Sequence, residues 1–180
     1  YTHFVLFKRF GLGLSLQEVF KIRTAALLFT SLGFLYGQGG MAWLVSRDSK
    51  RPVSQVVGLL GLLLFCTFHA ALFWVTIGLA VLLPGLDAGG EFRWLWIWVL
   101  AGWPLFVVWL WFWSSRFKRL VPSRFSESFL SGFDHATPVQ YLELIVLRAA
   151  QFLVIAIFVW LAMPAMNIEV PFQAILCLLP

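Results

Sequence analysis

The chain has 180 residues, 61% of them hydrophobic and only 12% charged, with a formal net charge of +5 and a mean hydropathy of +0.90. A soluble domain of this length has too little interior to hide so much apolar side chain, so the composition excludes an ordinary water-soluble globular protein. The fold class expected is an all-α integral membrane protein, a helical bundle forming a single transmembrane domain over 1–180. Ten Trp and nineteen Phe suit a surface that meets lipid tails and headgroups. Cys66 and Cys177 both lie in apolar runs, and their spacing suggests neither a disulfide nor a metal site. Residue 1 is Tyr, the chain stops at Pro180 inside an apolar stretch, and no signal peptide is visible, so a fragment of a longer polypeptide is expected.

In chain order, Tyr1 to Phe7 reads as the tail of an earlier span, followed by Lys8 and Arg9. Thr24 to Val45 is apolar enough to enter a bilayer but carries Gly37-Gln38-Gly39-Gly40 near its middle. Non-helical backbone in hydrocarbon costs several kcal/mol for each unpaired N–H or C=O, so a break there must be buried or line a polar cavity. Residues 24–45 are therefore predicted to be a re-entrant segment. Three apolar runs follow as transmembrane helices, at 53–83, 92–115 and 139–163. The first is about 46 Å long at helical rise and must tilt. Pro52 suits its first turn and Pro84-Gly85 its end. Gly102 and Pro104 are expected to kink the second, and Thr137-Pro138 and Pro164 bound the third.

The distribution of charge decides between a crossing and a re-entrant 24–45. If that segment dips in and returns, positions 8, 9, 21, 23, 47, 50, 51, 116, 118, 119 and 124 share one face, eleven of the thirteen Lys and Arg. The other face then carries Asp87, Glu91 and Glu169 with only Arg93. Positive residues collect on the cytoplasmic side, which favours the re-entrant arrangement with basic loops cytoplasmic in a bacterial inner membrane. A weak echo between Leu14–Val19 and Val170–Ile175 places two amphipathic starts on opposite faces. It suggests an inverted repeat, with 170–180 beginning a second re-entrant element.

Few polar residues stand out as candidate sites. Gly37, Gly39 and Gly40 permit positive φ and close backbone approach, so freed backbone groups there, with Gln38, are candidates to bind a lipid headgroup or phosphate. The competing reading is that small residues merely let helices pack tightly. Arg148 lies about 14 Å into its span, where a charge costs on the order of 3 kcal/mol and is usually functional or paired. Lipid phosphate is an obvious partner for its guanidinium, and snorkelling to the interface is the bland alternative. Glu143 sits five residues away, about 140° around the helix, and is poorly placed to pair with it. His69 is a weak candidate metal ligand for a haem or pigment, against a neutral imidazole bonded to a neighbouring helix. The Arg116–Arg124 loop fixes orientation and attracts anionic lipid.

Three stretches, FGLGLSLQEVFKIRTAALLF, GQGGMAWLVSRDSKRPVSQVVGLL and LRAAQFLVIAIFVWLAMPAMNIEVPFQAILCLLP, carry a likeness of hydropathy and small residues. In these the chain resembles the transmembrane-domain family of lysylphosphatidylglycerol synthases, flippase-like integral membrane proteins. The resemblance implies paired re-entrant elements and handling of a lipid substrate. Family members usually carry Pro-Gly-x-x-Gly-Glu at the first re-entrant tip and then an Arg. Here Met41 takes the place of the acid and Leu44 that of the Arg, and a later Glu-Arg falls near Leu63-Leu64.

The leading expectation is a flippase-like bacterial inner-membrane protein that handles a lipid or lipid-linked substrate. Its partners would be membrane lipids, anionic by preference, and it would use Gln38 and Arg148 as polar contacts. The missing signature residues and the many Trp and Phe favour an alternative, a non-catalytic accessory subunit of a larger membrane complex. A pigment or haem carrier working through His69 is a third reading. No nucleotide loop, metal-ligand cluster or nucleophile–base set is visible, so neither an enzyme, nor a cofactor, nor a nucleic-acid partner is expected.

Overall fold

A computed structural model describes residues 1–82, 93–114, 130, 133, 136–168, 170, 172 and 175. Among these residues the chain is all-helical, with six α-helices. They are α1 (Thr2–Arg9), α2 (Leu16–Thr30), α3 (Phe34–Ser49), α4 (Val53–Leu82), α5 (Arg93–Ser114) and α6 (Pro138–Ala162). A 3₁₀ turn over Met163–Met166 closes α6. The contacts divide the chain into two units. One is Tyr1–Phe65 with Trp113–Gln140, and the other is Cys66–Phe112 with Tyr141–Pro180.

In the first unit, α2 starts at a capping box. The Ser15 N–H donates to Glu18 Oε2 at 2.7 Å and the Glu18 N–H donates to Ser15 Oγ at 3.3 Å, so two donors at the helix start are satisfied reciprocally. The bond from the Ser15 backbone, with that of its hydroxyl, holds the Glu18 carboxyl below its ordinary pKa. Val19, Ile22 and Ala26 form the buried stripe of α2, while Met41, Ala42, Leu44 and Val45 are buried on α3. These two helices pack along one another. They are antiparallel, since Gly37 and Gly40 of α3 lie against Thr30 and Phe29 of α2, and Glu18 in the first turn of α2 feels the charge of Asp48 in the last turn of α3.

The break in the apolar segment is therefore placed differently from the sequence expectation. It falls at Ser31-Leu32-Gly33, and Gly37, Gln38, Gly39 and Gly40 are all inside α3. Gly33 takes φ 137°, a conformation that side chains rarely adopt, and this turns the chain. Within the turn, the N–H groups of Ser31, Leu32 and Gly33 donate to the carbonyls of Leu27, Phe29 and Thr30, while Gly33 offers no side chain to cap the first N–H groups of α3. The Thr30 and Ser31 hydroxyls donate to the carbonyls of Ala26 and Leu28. Gly37 and Gly40 serve close approach instead. A Cβ on Gly37 would strike the Thr30 hydroxyl and lie 3.1 Å from its Cα, and one on Gly40 would lie 2.8 Å from Phe29 Cδ2.

Lys50 ends α3 in the left-handed conformation, and Pro52 opens the first turn of α4 by accepting from the N–H groups of Gln55 and Val56. Among the described residues two helical stretches are long and apolar enough to cross a membrane, Val53–Ala80 and Pro138–Met166, and they overlap the apolar runs 53–83 and 139–163. The expected span 92–115 is helical as Arg93–Ser114 with Pro104 inside it, but is apolar only over Trp96–Trp111. In the second unit, Gly102 brings α5 close to α4, where a Cβ would meet Leu72 Cδ2 at 2.7 Å. Leu72, Leu79 and Val99 are buried together beside it, packed by Val75, Trp96 and Trp103. The turn at Pro84-Gly85 and the Arg116–Arg124 loop lie outside the described residues. So does the proposed second re-entrant element 170–180, apart from Val170, Phe172 and Ile175.

Two outcomes follow for the hairpin. Gly37→Ala destabilises it by about 1–3 kcal/mol because the backbone of α2 must shift. Gly39→Ala, with nothing within 4 Å of the added Cβ, stabilises α3 by about 0.5–1 kcal/mol. Thermal unfolding followed by circular dichroism in one detergent separates the two. The depressed Glu18 pKa means that its capping contribution is present above the ordinary carboxylate pKa and lost as pH falls through the lower folded value. Amide exchange at Glu18 and Val19 is accordingly expected to accelerate on acidification, beyond its intrinsic pH dependence, and Glu18→Gln abolishes that excess.

Candidate functional site

Helix α6 is strongly apolar and mostly exposed: only 11% of its most apolar window is buried within the chain. Four of its residues are buried, Tyr141, Leu144, Arg148 and Ala156. The spacing 141, 144, 148 puts three of them on one face. One of the four buried residues is thus a cation in a helix that otherwise exposes apolar side chains. Arg148 is 9% exposed and Tyr141 2% exposed. The Arg148 guanidinium donates from Nη1 to Gln151 Oε1 at 2.7 Å, one turn further along the same face.

Helix α4 contributes Cys66, His69 and Ala70, all buried. Cys66 lies within electrostatic reach of both Arg148 and Tyr141, and Trp109 of α5 adjoins Tyr141. His69, one turn beyond Cys66, is stacked on Phe106 of α5, with centroids 4.3 Å apart and planes tilted by 38°. Phe68 meets the imidazole edge-on at 5.3 Å. Two indoles tie this unit together. Trp74 Nε1 donates to the Ala149 carbonyl at 2.9 Å, next to Arg148, and Trp103 Nε1 donates to Thr76 Oγ1 at 3.1 Å. The Thr76 hydroxyl passes its own proton to the Leu72 carbonyl at 2.7 Å.

The buried polar groups of this unit are a guanidinium, an imidazole, a phenol and a thiol, and the amide bonded to the guanidinium, that of Gln151, is exposed. A guanidinium has five donors in a planar fork that matches phosphate and carboxylate oxygens. In a low-dielectric surround that attraction is stronger than in water. Among the described residues no group of three or more His, Cys, Asp and Glu is placed to hold a metal ion. The chemistry best served is recognition of an anion, with Arg148 as its charged member.

Arg148 and His69, treated separately from sequence, fall in the same unit and on the same group of helices. Gly37, Gln38, Gly39 and Gly40 belong to the other unit. Helix α3 takes the backbone at those positions into its own hydrogen-bond ladder, which removes the freed backbone donors proposed for the glycines. Gly37 is buried, Gln38 and Gly40 half-buried and Gly39 exposed. Sequence reasoning missed Tyr141 and Gln151, although positions 141, 148 and 151 share a helical face. It also missed Cys66 and Trp109, whose relation to Arg148 and Tyr141 exists only across helices. A separate depression of about 970 Å³ lies at the end of α6, lined by Trp160, Leu161, Met163, Pro164, Asn167 and Ile168 among others. Comparison with protein-family models, with curated proteins and with solved structures finds no match.

Trp74→Phe keeps most of the apolar contact but leaves the Ala149 carbonyl without its indole donor. The expected loss is about 1 kcal/mol, read as a lower midpoint of thermal unfolding in detergent. Phe73→Leu, at an exposed neighbouring position, is expected to change it much less.

Proposed function

We propose that the chain is a multi-pass inner-membrane protein that handles an anionic amphiphile of the lipid class, with Arg148 receiving the charged headgroup. One observation carries this reading: a buried arginine in the middle of a long, apolar and otherwise exposed helix. A cation placed there costs on the order of 3 kcal/mol on insertion scales, and such charges mark substrate pathways or buried pairs. Phosphate offers the guanidinium a bidentate, charge-assisted partner, and the exposed apolar faces of α6 suit acyl chains. Gln151, bonded to the guanidinium, and Tyr141 on the same helical face supply further polar groups for this role. The concentration of Lys and Arg on 8–51 and 116–124 supports an orientation with those segments cytoplasmic. The resemblance to flippase-like proteins agrees with this substrate class.

A second reading has its own support. A helix with only 11% of its apolar window buried also suits a surface covered by another membrane subunit. On that reading the protein is an accessory component, and Arg148 helps to hold the bundle together.

Reconstitution into vesicles with fluorescent anionic and zwitterionic lipids separates the two. The lipid-handling reading expects translocation or binding that prefers the anionic lipid. Arg148→Ala is expected to lower it about 10- to 100-fold, the value of one or two lost hydrogen bonds to a charged group, with Arg148→Lys keeping part of it. Activity that is absent, or equal in wild type and Arg148→Ala, sinks the lipid-handling reading. A stoichiometric protein partner retained in gentle detergent then favours the subunit reading.

A further inference from the structure

The exposed side of α6 carries a polar residue deep in its span. Gln151 lies thirteen residues beyond Pro138 and fifteen short of Met166 in the apolar stretch Pro138–Met166. That is about 20 Å from either end at helical rise, near the centre of a hydrocarbon core roughly 30 Å thick. Gln151 is nevertheless exposed. Among the described residues its one hydrogen bond is accepted by Oε1 from Arg148 Nη1, which leaves both N–H donors of the amide unused. Acyl chains at that depth offer no acceptor, and an unbonded polar group in hydrocarbon is costly. The residues that continue the line of Gln151 along the helix are apolar. Val154, Phe158 and Leu161 are exposed, from 51% to 69%, and Leu147 is half-buried. Positions 147, 151, 154, 158 and 161 are spaced 4, 3, 4 and 3, the seam of a left-handed helix pair.

We infer that this seam joins two copies of the chain, α6 parallel to α6, with the two Gln151 amides bonded to each other across the two-fold axis. The chemistry of the amide selects a second copy as the occupant. Copies inserted in one orientation present parallel α6 helices, so a residue on the axis meets itself. A primary amide is its own complement. Each Nε2–H donates to the other chain's Oε1, whose second lone pair is open beside the bond from Arg148. That bond polarises the amide and strengthens its N–H as a donor. A single polar residue in an otherwise apolar seam is also the pattern that fixes register and a two-helix state. The two guanidinium groups stay off the axis, because position 148 stands about 60° around α6 from 151, toward the face that the chain buries itself. The pairing does not depend on the headgroup reading at Arg148, since Arg148 keeps its bond to Gln151 in each copy.

The test uses the full chain with Cys66→Ala and Cys177→Ala as background. In cell membranes treated with copper phenanthroline, Val154→Cys and Phe158→Cys are each expected to give a disulfide-linked product of twice the chain mass. Leu142→Cys and Trp160→Cys, exposed but turned away from the seam, are expected to give none. In phosphatidylethanolamine–phosphatidylglycerol vesicles, the purified chain labelled at Lys50→Cys is expected to bleach in two steps at dilutions where copies do not meet by chance. Gln151→Leu is expected to lower the association constant about tenfold, the value of two interhelical hydrogen bonds in a membrane. Phe158→Ala leaves the amide and its bond to Arg148 in place and is expected to lower the constant too, so the result does not hang on one variant. Circular dichroism and detergent elution check that both are folded. One-step bleaching at every dilution leaves the amide to lipid and overturns the pairing. A product with a different protein at 154 and 158, without the self-product, overturns the second copy as occupant. Self-product through 142 and 160 alone puts the contact on another face and overturns the seam. Dimers unchanged by both substitutions overturn it as well.

Discussion

The constraint on which this structure depends is the shortage of partners for polar groups in a chain so rich in apolar residues. Where neither water nor a polar core is at hand, each N–H and C=O must be bonded by the chain itself. Helices meet that demand along their length, and the described residues are accordingly helical. The difficult places are the ends and turns, where an α-helix leaves four donors and four acceptors unused. The chain handles them with local devices. Ser15 and Glu18 cap α2, Thr137 and Gln140 exchange the same pair of bonds at the start of α6, and the hydroxyls of Thr30, Ser31 and Thr76 bond back to their own helices.

Close backbone approach is the second half of the same solution. Helices that meet along apolar faces hold together through shape and contact, and small residues allow the closest approach. Gly37 and Gly40 seat α3 on Thr30 and Phe29, and Gly102 seats α5 on Leu72. Each glycine gives up some helix propensity, and the packing against α2 or α4 offsets it. This explains why glycines inside an apolar segment mark a contact here and not a break. The break needed only one residue with an unusual backbone, Gly33, and that residue stands a turn earlier.

Against this background the buried polar set around Arg148 is the exception that asks for a purpose. Stability alone is a weak reason to bury a guanidinium, since an apolar side chain of similar size often does as well or better. The proposed headgroup site gives the residue a task that only a cation can perform. Tyr141 and Gln151 line up with it because seven and three residues return to the same helical face.

Helical class, the extents of the apolar runs and the collection of basic residues were legible from sequence, because each depends on composition or local order. The long helices α4 and α6 match their expected limits within a few residues for that reason. Arg148 stood out as well, since a charge deep in an apolar run is visible without knowledge of what surrounds it. Tertiary structure alone decided where the first apolar segment turns. A helix containing glycine and a loop containing glycine read alike in one dimension, and only the contacts with Thr30 and Phe29 separate them. It also decided which residues accompany Arg148. Cys66 and Trp109 are distant in sequence and come into reach of the α6 face only when α4 and α5 pack beside it.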